Sequence, residues 1–390
     1  MRRARTVLCP YCFHPWSTRV AAFRCLAADR TRCPEVADEA LGRHQGIDVQ
    51  GGRVTELRGR PGTAFETRAG KPVVCICGAA THPVCPTCHS RLPQLFTQHA
   101  SRSMALIGTS DSGKTHFVVV ALHELDHRVG PRFNGSLMLL DDHTRQRYAV
   151  ELVQELYGRG MVLANTQSAA NDPEVRLPLA ARLTLGDIGH TTHTNLVFFD
   201  SAGEDLKSLT VLEREARYVT QSDGLILLID PLQIPAVRDR LDGTVPLPGI
   251  SVDAPTMLGR VVALMREARG ISPDKPIETP LALAISKLDA IRPLLGDDHP
   301  ALAASGHDGV FDRIEARNIS DRLRADLAEW LGDGFDRFIQ QNFSVVSVFG
   351  VSALGSSPTG RQLTHGVAPH RIEDPVLWML DVWKAIPARG

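Results

Sequence analysis

Eight residues from Gly108 to Thr115, Gly-Thr-Ser-Asp-Ser-Gly-Lys-Thr, carry the spacing G-x-x-x-x-G-K-[ST]. This spacing suits an anion cradle. Gly108 and Gly113 permit backbone turns closed to other residues. The backbone N–H groups of Ser110, Asp111, Ser112 and Gly113 can then converge at the start of a helix, where the dipole favours negative charge. Lys114 supplies a point charge for terminal phosphates, and the Thr115 hydroxyl is a ligand for Mg²⁺. The chemistry is nucleotide phosphate binding.

Such a loop works only between a strand and a helix. Ser103–Ile107 reads as a short buried strand, and His116–His127 has apolar spacing suited to a helix. Further apolar runs each end in polar residues with matching chemistry. Asn195–Phe199 runs into Asp200-Ser-Ala-Gly203-Glu204. A strand-terminal Asp200 can hold Mg²⁺ through water, and the Gly203 N–H can bond a γ-phosphate. Leu281–Ile285 runs into Ser286-Lys287-Leu288-Asp289, close to the [NT]-K-x-D of guanine sites. There the Asp289 carboxylate accepts two hydrogen bonds from the guanine edge, whereas an adenine edge leaves it poorly paired. The Lys287 stem packs along the base. Ser286 stands in place of the usual Asn or Thr. Phe343–Phe349 leads to Ser352-Ala353, whose Ala353 N–H is placed to meet the guanine carbonyl.

All eight cysteines fall in the first 88 residues: Cys9, Cys12, Cys25, Cys33, Cys75, Cys77, Cys85 and Cys88. Cys9-Pro-Tyr-Cys12 and Cys85-Pro-Thr-Cys88 look like zinc knuckles, in which a tight turn aims two sulfurs at one ion. No apolar core long enough for an export signal follows Arg2, Arg3 and Arg5, so metal is favoured over disulfides. Eight thiolates can make two closed tetrahedral zinc sites, each with four cysteine ligands. Two pairings stay open: a sequential one (Cys9, Cys12, Cys25, Cys33, then Cys75, Cys77, Cys85, Cys88) and a crossed one in which the two knuckles share an ion. His82 and His89 are spare ligand candidates. The stretch from Glu35 to Ala69 reads as short strands or an insertion loop.

In this order, the four nucleotide motifs resemble the Ras-like small GTPase class, over residues from about 103 to 386. Asp200-Ser-Ala-Gly-Glu-Asp205, Ser286–Asp289 and Glu373-Asp-Pro-Val-Leu-Trp378 are similar to the bacterial double-GTPase family, in the translation-factor-related clade. The resemblance implies a GTP/GDP site with Mg²⁺, a molecular switch, and a setting in bacterial conflict, defence or signalling. It also implies a loop threonine that ligates Mg²⁺ and senses the γ-phosphate, for which Thr166 is the candidate. The segment between Lys114 and Asp200 is longer than in a minimal small GTPase. It holds a strand candidate, Ser136–Leu140, a helix candidate, Thr144–Tyr157, and a strand candidate, Val175–Leu185. Glu204 sits where Ras-like enzymes carry the water-orienting Gln. An ionised carboxylate there cannot donate a hydrogen bond, so slow hydrolysis is expected.

The expected architecture is an α/β P-loop fold with a mostly parallel central sheet, residues 98–390, preceded by a small zinc-binding module, residues 1–97. Catalytic candidates are Lys114, Glu204 and Thr166, and Mg²⁺ ligands are Thr115, Asp200 and Thr166. The expected partner is a protein effector or regulator docking on the switch loops. At a net charge of −1, with no run long enough to span a bilayer, neither nucleic acid nor a membrane is an expected partner, and a cytoplasmic location is expected. Two rival readings remain. One is a non-hydrolysing nucleotide-binding scaffold acting through its zinc module, which Glu204 favours. The other is a nucleic-acid-associated ATPase, which Asp289 opposes.

Overall fold

The computed structural model describes residues 5–58, 73–93, 95–109, 111–164, 177–186, 191–199, the backbone of Asp200, 217–241, 243, 245–249 and 253–390. Ser110, Thr166, Gly203 and Glu204, and the side chain of Asp200, lie outside the described residues. The chain divides into two compact units, Met1–Ser101 and Arg102–Gly390.

The first unit is built from short antiparallel pieces. Thr6–Leu8 pairs with Pro15–Ser17, and Val20–Cys25 lies between Val54–Arg58 and Thr81–Val84. One element differs from the sequence expectation: within 35–58, Glu39–Gln45 is a helix. Its ends explain it. Asp38 caps the N-terminus by accepting from the Leu41 N–H, and Gly46 closes the C-terminus in the left-handed region. A seven-residue helix with little apolar periodicity is visible only through such caps.

The second unit is organised by a seven-stranded sheet. Its strands are β1 Ala100–Gly108, β2 Gly135–Leu139, β3 Leu179–Leu185, β4 Thr192–Asp200, β5 Gly224–Ile229, β6 Leu281–Ile285 and β7 Val346–Gly350, in the spatial order β7-β6-β5-β1-β4-β3-β2. The strands β7, β6, β5 and β1 form a parallel ladder, and β3 runs antiparallel to both β4 and β2. The sheet is therefore mixed, with an antiparallel wing beside the parallel strands that the sequence predicts. All six residues of β5 and all five of β6 are buried, as expected of parallel strands covered on both faces.

The principal helices are α1 Lys114–Glu124, α2 Pro235–Leu241, α3 Ala254–Arg269, α4 Leu288–Leu295, α5 Arg313–Leu331, α6 Asp333–Asn342 and α7 Asp374–Val382. Helix α3 shows the local logic. Asp253 accepts from the Thr256 N–H at its start, Gly270 ends it in the left-handed region, and Met257, Leu258, Val261, Val262 and Met265 bury one face. The predicted helix over 144–157 forms in another shape. A turn at Asp142–Thr144 leads into π-helical Arg145–Leu152 and Gln154–Gly158, with Tyr148 and Leu156 buried.

Register decides where the site lies. Leu228 pairs with Gly108, Ile229 with Ile285, and Ile285 with Gly350. The carboxyl ends of four parallel strands are thus level. The glycine-rich loop, Asp230, Ser286–Asp289 and Val351–Ala353 all leave the sheet along one edge, where ligands bind in open parallel sheets.

Candidate functional site

The loop after β1 is shaped by what surrounds it. A Cβ on Gly108 would stand 2.5 Å from Ser112 Oγ and 3.0 Å from the Leu228 carbonyl oxygen, so only glycine fits. Gly113, at φ +88°, enters α1 from a left-handed conformation that glycine adopts without cost. Asp111, at φ +64°, shares that handedness. Gly113 offers no side chain to cap α1, and the start of a helix favours negative charge. The buried Lys114 donates from Nζ to the carbonyl oxygens of Gly108 and Thr109 at 3.0 and 2.9 Å. This holds its ammonium against the loop.

Lys287 leaves β6 in the left-handed region at φ +51° and caps α4. Its Nζ donates to Asp230 Oδ2 at 2.7 Å, and the Asp230 side chain is fully buried. Asp230 Oδ1 also accepts from the Leu232 N–H at 3.0 Å. Ser286, in the place of the usual Asn or Thr, donates from its N–H at 2.9 Å and its hydroxyl at 3.3 Å to the Ile229 carbonyl. Asp289 lies in the first turn of α4, and its Oδ1 accepts from the Ser352 hydroxyl at 2.5 Å. The Ser352 oxygen in turn accepts from the Gly355 N–H at 2.9 Å.

One cavity of about 610 Å³ is lined by Asp111–Thr115 at one stretch and by Ser286, Lys287, Asp289, Ser352 and Ala353 at another. Three motifs separated by 63 positions or more in the sequence thus share one space. It offers an ammonium, helix-start N–H groups and a carboxylate anchored by a hydroxyl. That is the donor and acceptor set for a ligand with an anionic tail and a hydrogen-bond-donating edge.

Two residues here escape sequence reasoning. Asp230 follows an apolar strand with no motif around it, and only the parallel register brings it to Lys287. His116 follows Thr115, lines the cavity, and accepts from the Leu163 N–H through Nε2 at 3.2 Å. Burial, and then the positive charge of Lys287, push its pKa down to about 4, so it is a neutral acceptor at neutral pH. Leu163 belongs to a segment tied by backbone hydrogen bonds to 361–363, from Val162 to Arg361 and from Leu363 to Gly160.

In the first unit the cysteines gather into two tetrads, Cys9, Cys12, Cys85, Cys88 and Cys25, Cys33, Cys75, Cys77, with the sulfurs of each within 4.8 Å of one another. Of the two pairings left open by the sequence, this is the crossed one. No cysteine is bridged to another. Cys9–Cys88 and Cys12–Cys85 sulfurs are each 3.8 Å apart, and Cys25–Cys77 are 3.6 Å apart. A tetrahedron of sulfurs at the Zn–S distance of ~2.3 Å has edges of ~3.8 Å, so both tetrads fit zinc. Burial and the neighbouring sulfurs push the Cys9 thiol well above its ordinary range. Four thiols this close to one another ionise together only around a cation. The spare histidines are engaged elsewhere. His82 Nε2 donates to the Leu92 carbonyl, and His89 Nδ1 lies 2.8 Å from Asp38 Oδ1.

No protein-family model matches the chain. A Mycolicibacterium smegmatis protein provisionally named ESX-1 scaffolding and assembly protein SaeC is 28% identical over 315 residues, 76% of this chain and 78% of that protein. The bacterial selenocysteine-specific elongation factor EF-Sec matches at 14% identity and TM-score 0.28, over 74% of this chain and 29% of the factor. The signal recognition particle receptor SRb-GTP/SRX complex from Chaetomium thermophilum matches at 14% identity and TM-score 0.29, over 67% of this chain and 94% of that one. Both TM-scores are too low to bear on this chain's activity. Among the described residues no helix is long and apolar enough to cross a membrane.

Proposed function

We propose that the second unit binds GTP and GDP with Mg²⁺ and works as a slowly hydrolysing switch, and that the first unit is a docking module held by two structural zinc ions. The observation that carries this reading is the single cavity shared by Lys114 and Asp289. Phosphates would lie on residues 108–115, with Lys114 as their main counter-charge. The guanine edge would donate to Asp289, which Ser352 holds in place. Thr115, Asp200 and Thr166 would hold Mg²⁺, which neutralises charge developing between the β- and γ-phosphates. Glu204, in place of a water-orienting amide, accounts for slow turnover.

The role in the cell follows from the relative rather than the site. SaeC is named for scaffolding and assembly. We infer that this chain likewise organises a protein assembly, with bound nucleotide deciding when a partner docks. The same name, together with Glu204, favours a second reading in which the chain holds nucleotide without hydrolysing it. Titration calorimetry with GTP, GDP and ATP tests the first part: guanine nucleotides should bind at least tenfold tighter than ATP, and equal affinities would overturn it. Single-turnover phosphate release separates the two readings, since a scaffold releases none.

A further inference from the structure

A guanine edge read by Asp289 leaves the two flat faces of the ring to be covered by other groups. The Lys287 stem lines the cavity on the side of its own loop. The apolar lining of the cavity includes Leu232, Pro246, Leu247 and Pro248. The last three belong to the proline-rich connection between α2 and α3.

That loop is pinned. A single nitrogen of Arg238, Nη1, donates to the Leu232 carbonyl and to the Pro248 carbonyl, each at 2.8 Å. Gln233 Nε2 donates to the Gly249 carbonyl at 2.9 Å. Leu232 is in turn fixed by Asp230, the carboxylate that also holds Lys287. The connection Lys287–Asp230–Leu232–Arg238–Pro248 therefore ties two parts of the cavity lining, Lys287 and the loop at Pro248, to one buried carboxylate. Pro246 and Pro248 have their φ angles preset by their rings, so little chain entropy is lost in holding Leu247 between them.

We infer that Pro246–Pro248, held by the positioning residue Arg238, forms a face of the base site and packs on the purine ring of the bound nucleotide. The inference rests on the guanine-nucleotide reading above and adds the surface that grips the ring. Arg238 touches no part of the ligand. It acts by keeping two carbonyls, and hence the loop, where the ring needs them.

The test uses the full chain with Mg²⁺ and two probes, GDP and inorganic tripolyphosphate, which has phosphates and no ring. Arg238→Ala and Leu247→Gly should each weaken GDP about tenfold, the scale of losing one apolar contact face, and leave tripolyphosphate affinity unchanged. Arg238→Lys keeps a donor for both carbonyls and should recover most of the GDP affinity. GDP binding that is unchanged in Arg238→Ala and Leu247→Gly overturns the inference. So does an equal loss for both probes, which would report general damage. A wild-type protein that fails to bind GDP overturns the nucleotide reading and this wall with it.

Discussion

The Ser352 hydroxyl donates to Asp289 Oδ1 at 2.5 Å, across 63 positions of sequence. It joins the two loops expected to face the base, and it occupies one oxygen of the carboxylate on which the proposed guanine selectivity rests. Asp289→Ala should weaken GTP and GDP by more than tenfold, about 1.4 kcal/mol, because a charged hydrogen-bonding pair is lost. Ser352→Ala should weaken them less, since the carboxylate remains but is free to turn. Calorimetry on both variants checks the order, and a larger loss in Ser352→Ala would contradict it.

The phosphate end gives a prediction on turnover. Lys114→Ala should abolish tight nucleotide binding. Glu204→Gln should leave hydrolysis equal or faster, since an amide can both donate to and accept from the attacking water. Single-turnover phosphate release decides. A drop of ~10²-fold in Glu204→Gln would instead make Glu204 the general base.

The crossed cysteine pairing predicts a pattern of metal loss. Elemental analysis should find two zinc ions in the native chain. Cys9→Ser, Cys85→Ser and the double variant should each lose the same single ion. Cys9→Ser combined with Cys33→Ser should lose both. A sequential pairing would give the opposite pattern, since Cys9 and Cys33 would then share an ion.

Asp38 joins the helix 39–45 to residues beside both tetrads. Its Oδ2 accepts from Arg24 at 2.6 Å, next to Cys25, and its Oδ1 lies 2.8 Å from His89, next to Cys88. Burial acts to raise its pKa, but the Leu41 N–H, His89 and Arg24 outweigh burial and lower it. Asp38→Ala uncaps the helix and leaves the Arg24 guanidinium buried without its carboxylate. The first unit should lose about 3 kcal/mol. Thermal unfolding of the zinc-loaded chain measures the loss, and an unchanged melting curve would remove Asp38 from this role.

His116 predicts a pH dependence. Its pKa in the folded chain, about 4, lies below that of an unfolded histidine, so the unfolded chain binds the proton first. The stability it contributes is complete above pH ~6.5 and is lost as pH falls toward 4, at up to about 1.4 kcal/mol per pH unit. His116→Gln cannot take up that proton and should flatten this part of the curve. Denaturant titrations of both proteins between pH 7 and pH 4 make the comparison. Parallel curves would rule His116 out as the source.

The local part of the site was legible because its chemistry is local. Gly108, Gly113, Lys114 and Thr115 are fixed by spacing within eight residues, and the flanking strand and helix announce themselves through apolar periodicity. The strand Leu281–Ile285 was readable for the same reason, as a short apolar run ending in Ser-Lys-Leu-Asp. The helix 39–45 was missed because its signal is two caps and not a stripe. The antiparallel wing was missed because strand direction is not written in a strand's own residues.

The sequence by itself determined which side chains are available: a phosphate-type loop, a carboxylate two residues after a lysine, and eight thiols confined to one end. Its motifs do not specify which of these meet. The parallel register of β1, β5, β6 and β7 brought the motifs to one edge and gave Lys287 its partner Asp230. The tertiary fold of the first unit brought Cys9 and Cys12 to Cys85 and Cys88, and chose between two pairings the spacing left open. Arg238 became a clamp only when Leu232 and Pro248 presented their carbonyls to one nitrogen. Such contacts are set by strand register and loop closure over tens of residues, where the deciding term is the burial and pairing of the whole core.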